Sequence, residues 1–303
     1  MRFLLSIYFL IPLGFSLSGW AQGGDNAPII YDQFFKNSFL VNPANADFEN
    51  KDVFALSAGN RTLTGLFEGV NRTYVDINFR LKAEIKKNKS KNRNFHNLGA
   101  LIINGRDGEI FQRNRIYGRY SWQMALSKKA SFSIGFAAGT VNYAVASSQA
   151  GGGGSSFVPD ASLGIWYLRK NFKAGLSYQQ IFQSKLTPVN QPIQLANYFN
   201  FNANWKAELG LRTYLTTFGY IKYQENTPFY SELASILTFY RHFEIGANYR
   251  HTQGIAVLVG LSELNIGIGN IRLMASYLVS TRNYTNVNEN VLEFSLGYSL
   301  LRK

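Results

Sequence analysis

Asn200-Phe201-Asn202-Ala203-Asn204-Trp205 sets an apolar residue at every second position and a small amide between each pair. Successive side chains of a strand point to opposite faces, so this segment presents one apolar face and one hydrophilic face. The pattern recurs near the end of the chain, where Leu292, Phe294, Leu296, Tyr298 and Leu300 alternate with Glu293, Ser295, Gly297 and Ser299. A soluble β-sandwich also alternates, but seldom through strands this long with so much aromatic residue beside polar, Gly-rich partners. The pattern predicts an all-β, antiparallel, up-and-down transmembrane β-barrel with lipid outside and a polar interior. No stretch beyond the N-terminal region is apolar for the roughly eighteen residues that a spanning helix needs. Averaged hydropathy is blind to such a barrel, because alternating residues cancel.

A barrel of this kind must be exported. Arg2 supplies a short positive region, Phe3 to Leu17 an apolar stretch broken by Pro12 and Gly14, and Gly19-Trp20-Ala21 a small-x-small cleavage site. Residues 1–21 therefore read as a signal peptide cut after Ala21. Removing 21 residues from 303 leaves 282, which at about twenty residues per strand and connection suggests roughly fourteen strands. The expected organisation is a signal peptide over 1–21, a pre-barrel segment over 22–50 and a barrel over 51–303.

Alternation and turn residues place strands near 53–60, 72–82, 97–105, 110–125, 130–145, 160–170, 172–181, 197–206, 208–222, 229–240, 242–251, 255–264, 268–280 and 289–301. An even count puts both termini on one side, expected to be the periplasm, where connections are short. Ser127-Lys128-Lys129, Arg169-Lys170-Asn171, Trp205-Lys206-Ala207 and Tyr240-Arg241-His242 fit tight turns on that side. Arg61 to Asn71, Ala146 to Pro159, Phe182 to Ala196 and Thr281 to Asn288 fit longer outward connections. The first holds Gly65, Phe67, Glu68 and Gly69, and the second holds Gly151, Gly152, Gly153 and Gly154. Asp76, Asn78, Arg80, Arg113, Arg115, Arg119, Asn200, Asn202 and Asn204 are expected to face the lumen. Phe199, Phe201, Ala203 and Trp205 are expected to face lipid.

One connection on the short-turn side is long and basic, carrying Lys86, Lys87, Lys89, Lys91 and Arg93. A charge run of this kind either stays solvated or docks an acidic periplasmic partner or anionic envelope polymer. Nucleic acid is a poor candidate, since no recognition helix or RNA-binding motif accompanies the charge. The net charge of +13 fits an envelope protein beside anionic glycolipid. There is no cysteine, so disulfides, thiolate metal sites and a lipid-bearing cysteine are excluded.

Catalytic readings fail one by one. His96, His242 and His251 lack metal-ligand spacing and read as surface residues on or beside connections. Gly260-Leu261-Ser262-Glu263-Leu264 lacks the second glycine of a nucleophile elbow, and Gly151 to Gly154 lacks the Gly-Lys-Ser/Thr ending of a phosphate loop. Acidic residues are scattered, so the chain reads as a non-enzyme without cofactor or metal.

Near the mature N-terminus, Tyr31-Asp32-Gln33-Phe34-Phe35-Lys36-Asn37-Ser38-Phe39-Leu40-Val41-Asn42-Pro43-Ala44-Asn45-Ala46 resembles the entry motif of the PorP/SprF family of type IX secretion membrane proteins. The matching positions are Tyr31, Gln33, Asn37, Asn42, Pro43, Ala44 and Ala46, with Asp47 where glycine is usual. Gly65-Leu66-Phe67-Glu68-Gly69 resembles the family's first outer loop without its usual proline. Pro159-Asp160, Leu163-Gly164-Ile165-Trp166-Tyr167, Phe172, Gly175-Leu176-Ser177 and Ser184-Lys185-Leu186 resemble its mid-barrel block. Glu293-Phe294-Ser295-Leu296-Gly297-Tyr298 is similar to its last strand. The motif also has a local reading: Pro43 fixes a turn and pushes Asn42 away from helical geometry. Phe34, Phe35, Phe39, Leu40 and Val41 are too apolar for a free tail and are expected to pack at the periplasmic mouth, inside the lumen, or as a first wall strand.

The resemblance implies a non-enzymatic outer-membrane component of type IX secretion and gliding that holds a secreted adhesin, through its C-terminal domain, at the cell surface. Periplasmic or lipoprotein components of that machinery, and outer-membrane lipid, are the further partners it implies. The barrel alone also allows a diffusion porin or small-solute transporter, or a structural envelope component docking periplasmic lipoproteins.

Overall fold

The computed structural model describes residues 31, 33–45, 52–64, 69–82, 94–127, 129–147, 152–189, 192–251, 253–281 and 290–301. The expected signal peptide, the basic segment with Lys86, Lys87, Lys89, Lys91 and Arg93, and the loop residues Gly65, Phe67, Glu68 and Gly151 lie outside the described residues.

Fourteen strands close one antiparallel barrel. They are β1 (Asp52–Thr64), β2 (Asn71–Lys82), β3 (Phe95–Asp107), β4 (Phe111–Ala125), β5 (Ala130–Val145), β6 (Gly154–Arg169), β7 (Phe172–Gln179), β10 (Tyr198–Gly210), β11 (Thr213–Tyr223), β12 (Tyr230–Phe239), β13 (Phe243–Arg250), β14 (Gly254–Asn265), β15 (Gly269–Ser280) and β16 (Asn290–Leu301). Each pairs with its neighbour, β7 meets β10 directly, and β1 closes the ring on β16 with Thr64 opposite Asn290. Closure leaves no strand edge within the ring, as hydrocarbon requires of a spanning sheet. Between β7 and β10, β8 (Lys185–Leu186) and β9 (Ile193–Gln194) form a separate two-stranded hairpin.

The faces divide as alternation demands. On β10, Phe199, Phe201 and Trp205 are exposed on the outside, while Asn200, Asn202 and Asn204 are buried within the lumen. Exposed rings gather near both ends of the outward face. Phe79, Trp122, Phe172, Trp205 and Phe243 lie toward the end that carries the termini, and Phe199, Tyr223, Tyr249 and Tyr277 toward the far end. Such girdles bracket the lipid band of outer-membrane barrels.

Three expected connections differ from the sequence reading, the first being Arg61 to Asn71, where β1 runs on to Thr64 and β2 begins at Asn71. No turn forms at Trp205-Lys206-Ala207. β10 runs on to Gly210, pairing Glu208 with Tyr214, and the chain turns at Leu211–Arg212, with Arg212 at φ 63°. Backbone pairing outlasts the apolar face, so loss of alternation does not end a strand. The Ala146 to Pro159 connection likewise shrinks to residues 146–153. Gly154 already pairs with Val145, and Pro159 sits inside β6 opposite Thr140. Odd-numbered residues of β6 turn their peptide groups away from β5, as Ala161 does in accepting from Ile181 N at 3.1 Å. The N–H that Pro159 lacks would point away from the β5 ladder, so the strand tolerates it. His96, expected beside a connection, lies within β3 with its Nδ1 2.6 Å from Tyr120 Oη.

Candidate functional site in the barrel lumen

Residues 33–45 and Tyr31 run through the lumen, turning twice in short 3-10 turns at Phe34–Lys36 and Ser38–Leu40. Their apolar side chains find a core there. Phe34, Phe35 and Val41 are buried against Tyr220, Ala234, Ile236, Leu258 and Met274 on the inner wall. Phe35 stacks on Phe218 with centroids 4.7 Å apart, and Tyr31 meets Tyr74 edge-on at 4.8 Å. Burial, reinforced by nearby Glu293, pushes the Tyr31 phenol well above its ordinary pKa, so this ring stays neutral.

The polar residues of the segment bind the wall. Gln33 N donates to Glu293 Oε1 at 2.9 Å, and Gln33 Nε2 donates to Ser276 Oγ at 3.1 Å. Lys36 forms an ion pair with Glu244, both largely buried. Arg119 donates to Phe39 O at 3.3 Å with its guanidinium 4.0 Å above the Phe39 ring, while its other arm donates to Asp76 Oδ1 at 2.7 Å. The Val41 carbonyl accepts from three side chains: Ser177 Oγ at 2.6 Å, and Gln179 Nε2 and Asn200 Nδ2 at 3.1 Å each.

Asn42-Pro43-Ala44 occupies a niche floored by glycine. Gly135 and Gly164 are paired across β5 and β6, and Gly175 stands opposite Trp166 on β7. A Cβ at Gly135 would lie 2.5 Å from Pro43 O, one at Gly175 would lie 2.5 Å from Asn42 Nδ2, and one at Gly164 would strike Asn42 Oδ1. Backbone at Pro43 and Ala44, and the side chains of Asn42 and Trp166, approach too closely for a side chain at these three positions. Asn42 Nδ2 donates to Ile165 O at 3.0 Å, and its Oδ1 accepts from Ala44 N at 2.9 Å, which fixes the turn around Pro43. Tyr31, Gln33, Asn42, Pro43 and Ala44 thus all contact the wall, and Asn37 accepts from the Phe39 and Leu40 amides through Oδ1 and O. The entry motif and the mid-barrel block, far apart in sequence, meet in this niche.

The far end is closed by the β8–β9 hairpin. Leu186 and Leu195 are fully buried against Val141 and Tyr143 of the inner wall. Ser184 Oγ donates to Pro159 O at 2.8 Å, and Thr187 N donates to Ser156 Oγ at 3.0 Å. Between the segment and the inner wall lies a cavity of about 40 Å³ lined in part by Leu40, Arg115, Tyr117, Asp160 and Gln180. That is room for a few waters. Among the described residues no three His, Asp or Glu side chains converge as a metal site.

The expected lumen residues Asp76, Asn78, Arg80, Arg113, Arg115 and Arg119 all lie on inward positions, joined into pairs. Arg80 donates to Gln123 Oε1 at 2.8 Å, Arg113 meets Asp107 at 3.0 Å, and Arg115 donates to Tyr143 Oη at 3.1 Å. The glycine floor, the donors to Val41 and the Lys36–Glu244 pair escaped the sequence reading. Inward glycines at Gly135, Gly164 and Gly175 were the signal available, since a wide lumen gives a strand no reason to lack a side chain unless something touches its backbone. Of the outer-loop candidates, Gly69 turns at φ +85°, Gly152 and Gly153 are exposed, and Gly154 faces Pro188 from within β6.

A family model described as "Type IX secretion system membrane protein PorP/SprF" matches residues 25–298. The chain belongs to the PorP/SprF family. Among curated proteins none matches it. Solved structures share its fold at low identity. The CymD monoaromatic hydrocarbon channel has a TM-score of 0.56 and 12% identity, over 90% of this chain and 93% of its own. The Ralstonia pickettii toluene transporter TbuX has 0.54 and 11%, over 88% and 93%. The Pseudomonas putida toluene transporter TodX has 0.52 and 11%, over 88% and 94%. The family and these neighbours are integral outer-membrane barrels of secretion and transport.

Proposed function

We propose that this protein is a non-enzymatic anchor of the type IX secretion machinery that holds a secreted adhesin, through its C-terminal domain, at the cell surface. Both barrel termini then face the periplasm, and the far end, with the β8–β9 hairpin, faces outward. Family membership supports the assignment to the machinery. The observation that carries the anchor reading over the diffusion porin is the lumen occupied by the chain's own Tyr31 and residues 33–45, with Leu186 and Leu195 packed on the wall at the far end. A porin keeps an aqueous channel, whereas a closed barrel serves as a membrane-fixed platform. The basic segment of Lys86, Lys87, Lys89, Lys91 and Arg93 offers cationic charge to periplasmic or lipoprotein components of the machinery.

Purification from native outer membranes in mild detergent tests the reading. A secreted protein retained through its C-terminal domain is the expected companion. A barrel that arrives alone and conducts freely would replace the anchor with a porin.

A further inference from the structure

β6 outruns its neighbour. Its pairing with β7 ends at Leu163–Tyr178, after which Gln180 takes φ 56° and the chain leaves the wall. Residues 154–162 continue beyond that point with a full partner on one side only, β5, through Val145. The other side faces the place that β7 vacates. Part of it is covered: Ala161 O accepts from Ile181 N, and Pro159 O accepts from Ser184 Oγ. Beyond Pro159 the edge opens. Phe157 and Ser155 share the parity of Ala161, so their N–H and C=O groups point toward the vacated side, and among the described residues nothing bonds them there. The Phe157 ring stands 71% exposed on the outward face, and Ser155 beside it is exposed.

Open edges of this kind are normally blunted by charge, proline or cover. Here proline stops at Pro159, and beyond it the hairpin meets β6 only at inward positions, through Thr187 N on Ser156 Oγ and Pro188 beside Gly154, while residues 154–157 carry no charged side chain. Their outward positions alternate Phe157 with Ser155, a surface for an apolar contact above a row of peptide groups.

Resting on the anchor reading, we propose that the edge of β6 at Ser155 and Phe157 receives one extended strand of the secreted partner. That strand would continue the β6–β7 ladder outward, with an apolar side chain over Phe157. Main-chain hydrogen bonds would supply affinity, and the Phe157 contact specificity. The geometry asks for an uncharged, β-branched or aromatic segment with its own free edge.

The test uses the full-length protein in its native host, comparing four strains: wild type, barrel deletion, Ser155→Pro and Ser155→Ala. The amount of each secreted protein on the cells and in the medium is measured by whole-fraction proteomics. Ser155→Pro removes the edge N–H while Ser155→Ala keeps it. The expected result is that deletion sheds one or more secreted proteins into the medium. Ser155→Pro should weaken retention of the same proteins by about tenfold, the factor carried by one hydrogen bond of typical strength, while Ser155→Ala retains them. Heat-modifiable gel mobility establishes that each variant barrel is folded. If Ser155→Pro does not fold, Phe157→Asp, which places a charge against the apolar contact, is expected to shed the same set. Retention by a folded Ser155→Pro or Phe157→Asp barrel, or equal shedding by Ser155→Ala, overturns the edge site while leaving the anchor intact. A deletion strain that sheds nothing overturns the anchor and the edge site together.

Discussion

The lumen is closed by two pieces of chain built on different principles. The N-terminal segment adds a dense set of polar bonds to the apolar core of Phe34, Phe35 and Val41. Val41 O has three side-chain donors, Asn42 is locked between Ile165 O and Ala44 N, and Lys36 is paired with Glu244. The β8–β9 hairpin rests on two leucines against Val141 and Tyr143, with fewer polar bonds, from Ser184 and Thr187 to β6. A polar seat has a single geometry, because every unmet donor or acceptor costs free energy when buried. An apolar seat tolerates sliding and reopening. The segment has more bonds to lose on leaving its seat, so the hairpin is expected to open first, below the free energy of global unfolding.

The largest expected effect is at the glycine floor. Gly175→Leu would drive a side chain into Asn42 and Trp166, and no rotamer clears both. Overpacking alone costs about 1–3 kcal/mol, and expelling Asn42 forfeits the segment's polar bonds and buried rings with it, which makes this the largest loss. The segment should leave its niche, read as new protease cleavage within residues 31–45 while the barrel keeps its heat-modifiable mobility. A protected segment in that variant would show that the niche is not its seat.

Lys36→Met strands Glu244 without its cation. Breaking a largely buried pair costs about 3–5 kcal/mol, and the double change Lys36→Met with Glu244→Gln should recover most of it. Urea unfolding of the four proteins in lipid vesicles measures the cycle. Additive losses would mean that the two groups do not interact.

Leu186→Ala probes the other closure. A buried leucine truncation costs about 2–5 kcal/mol when the loss is global. Here the cap can open instead, so global stability should fall by less than that range while hydrogen exchange at residues 184–195 rises. A full global loss with unchanged exchange would make the hairpin as integral as the segment. The smallest effect belongs to Ser177→Ala, which removes one of three donors to Val41 O at a cost of about 1 kcal/mol.

How much of this the sequence disclosed follows the same division. Strands were legible because lipid imposes alternation on every outward residue, as on Phe199, Phe201 and Trp205 of β10. Strand ends were less legible wherever pairing continues beyond the lipid band, as at Glu208 and at Gly154, because there the backbone ladder alone decides. Inward amides such as Asn200 and Asn202 spelled a polar lumen, but polarity does not tell water from a bound polar segment. Which donor meets which carbonyl depends on how distant strands are brought together. Ser177, Gln179 and Asn200 converge on Val41 only because β7 and β10 are neighbours across the excursion of the hairpin. The hairpin was hidden within a stretch whose Pro188 and Pro192 read as an ordinary outward loop.

Planar-bilayer recording of the intact protein, beside a variant lacking residues 22–46, tests the central claim that the chain closes its own lumen. The intact barrel should be nearly silent, and the shortened one should conduct in steps once the segment that buries Phe34, Phe35 and Val41 is gone. Large, steady channels from the intact, folded barrel would contradict the account.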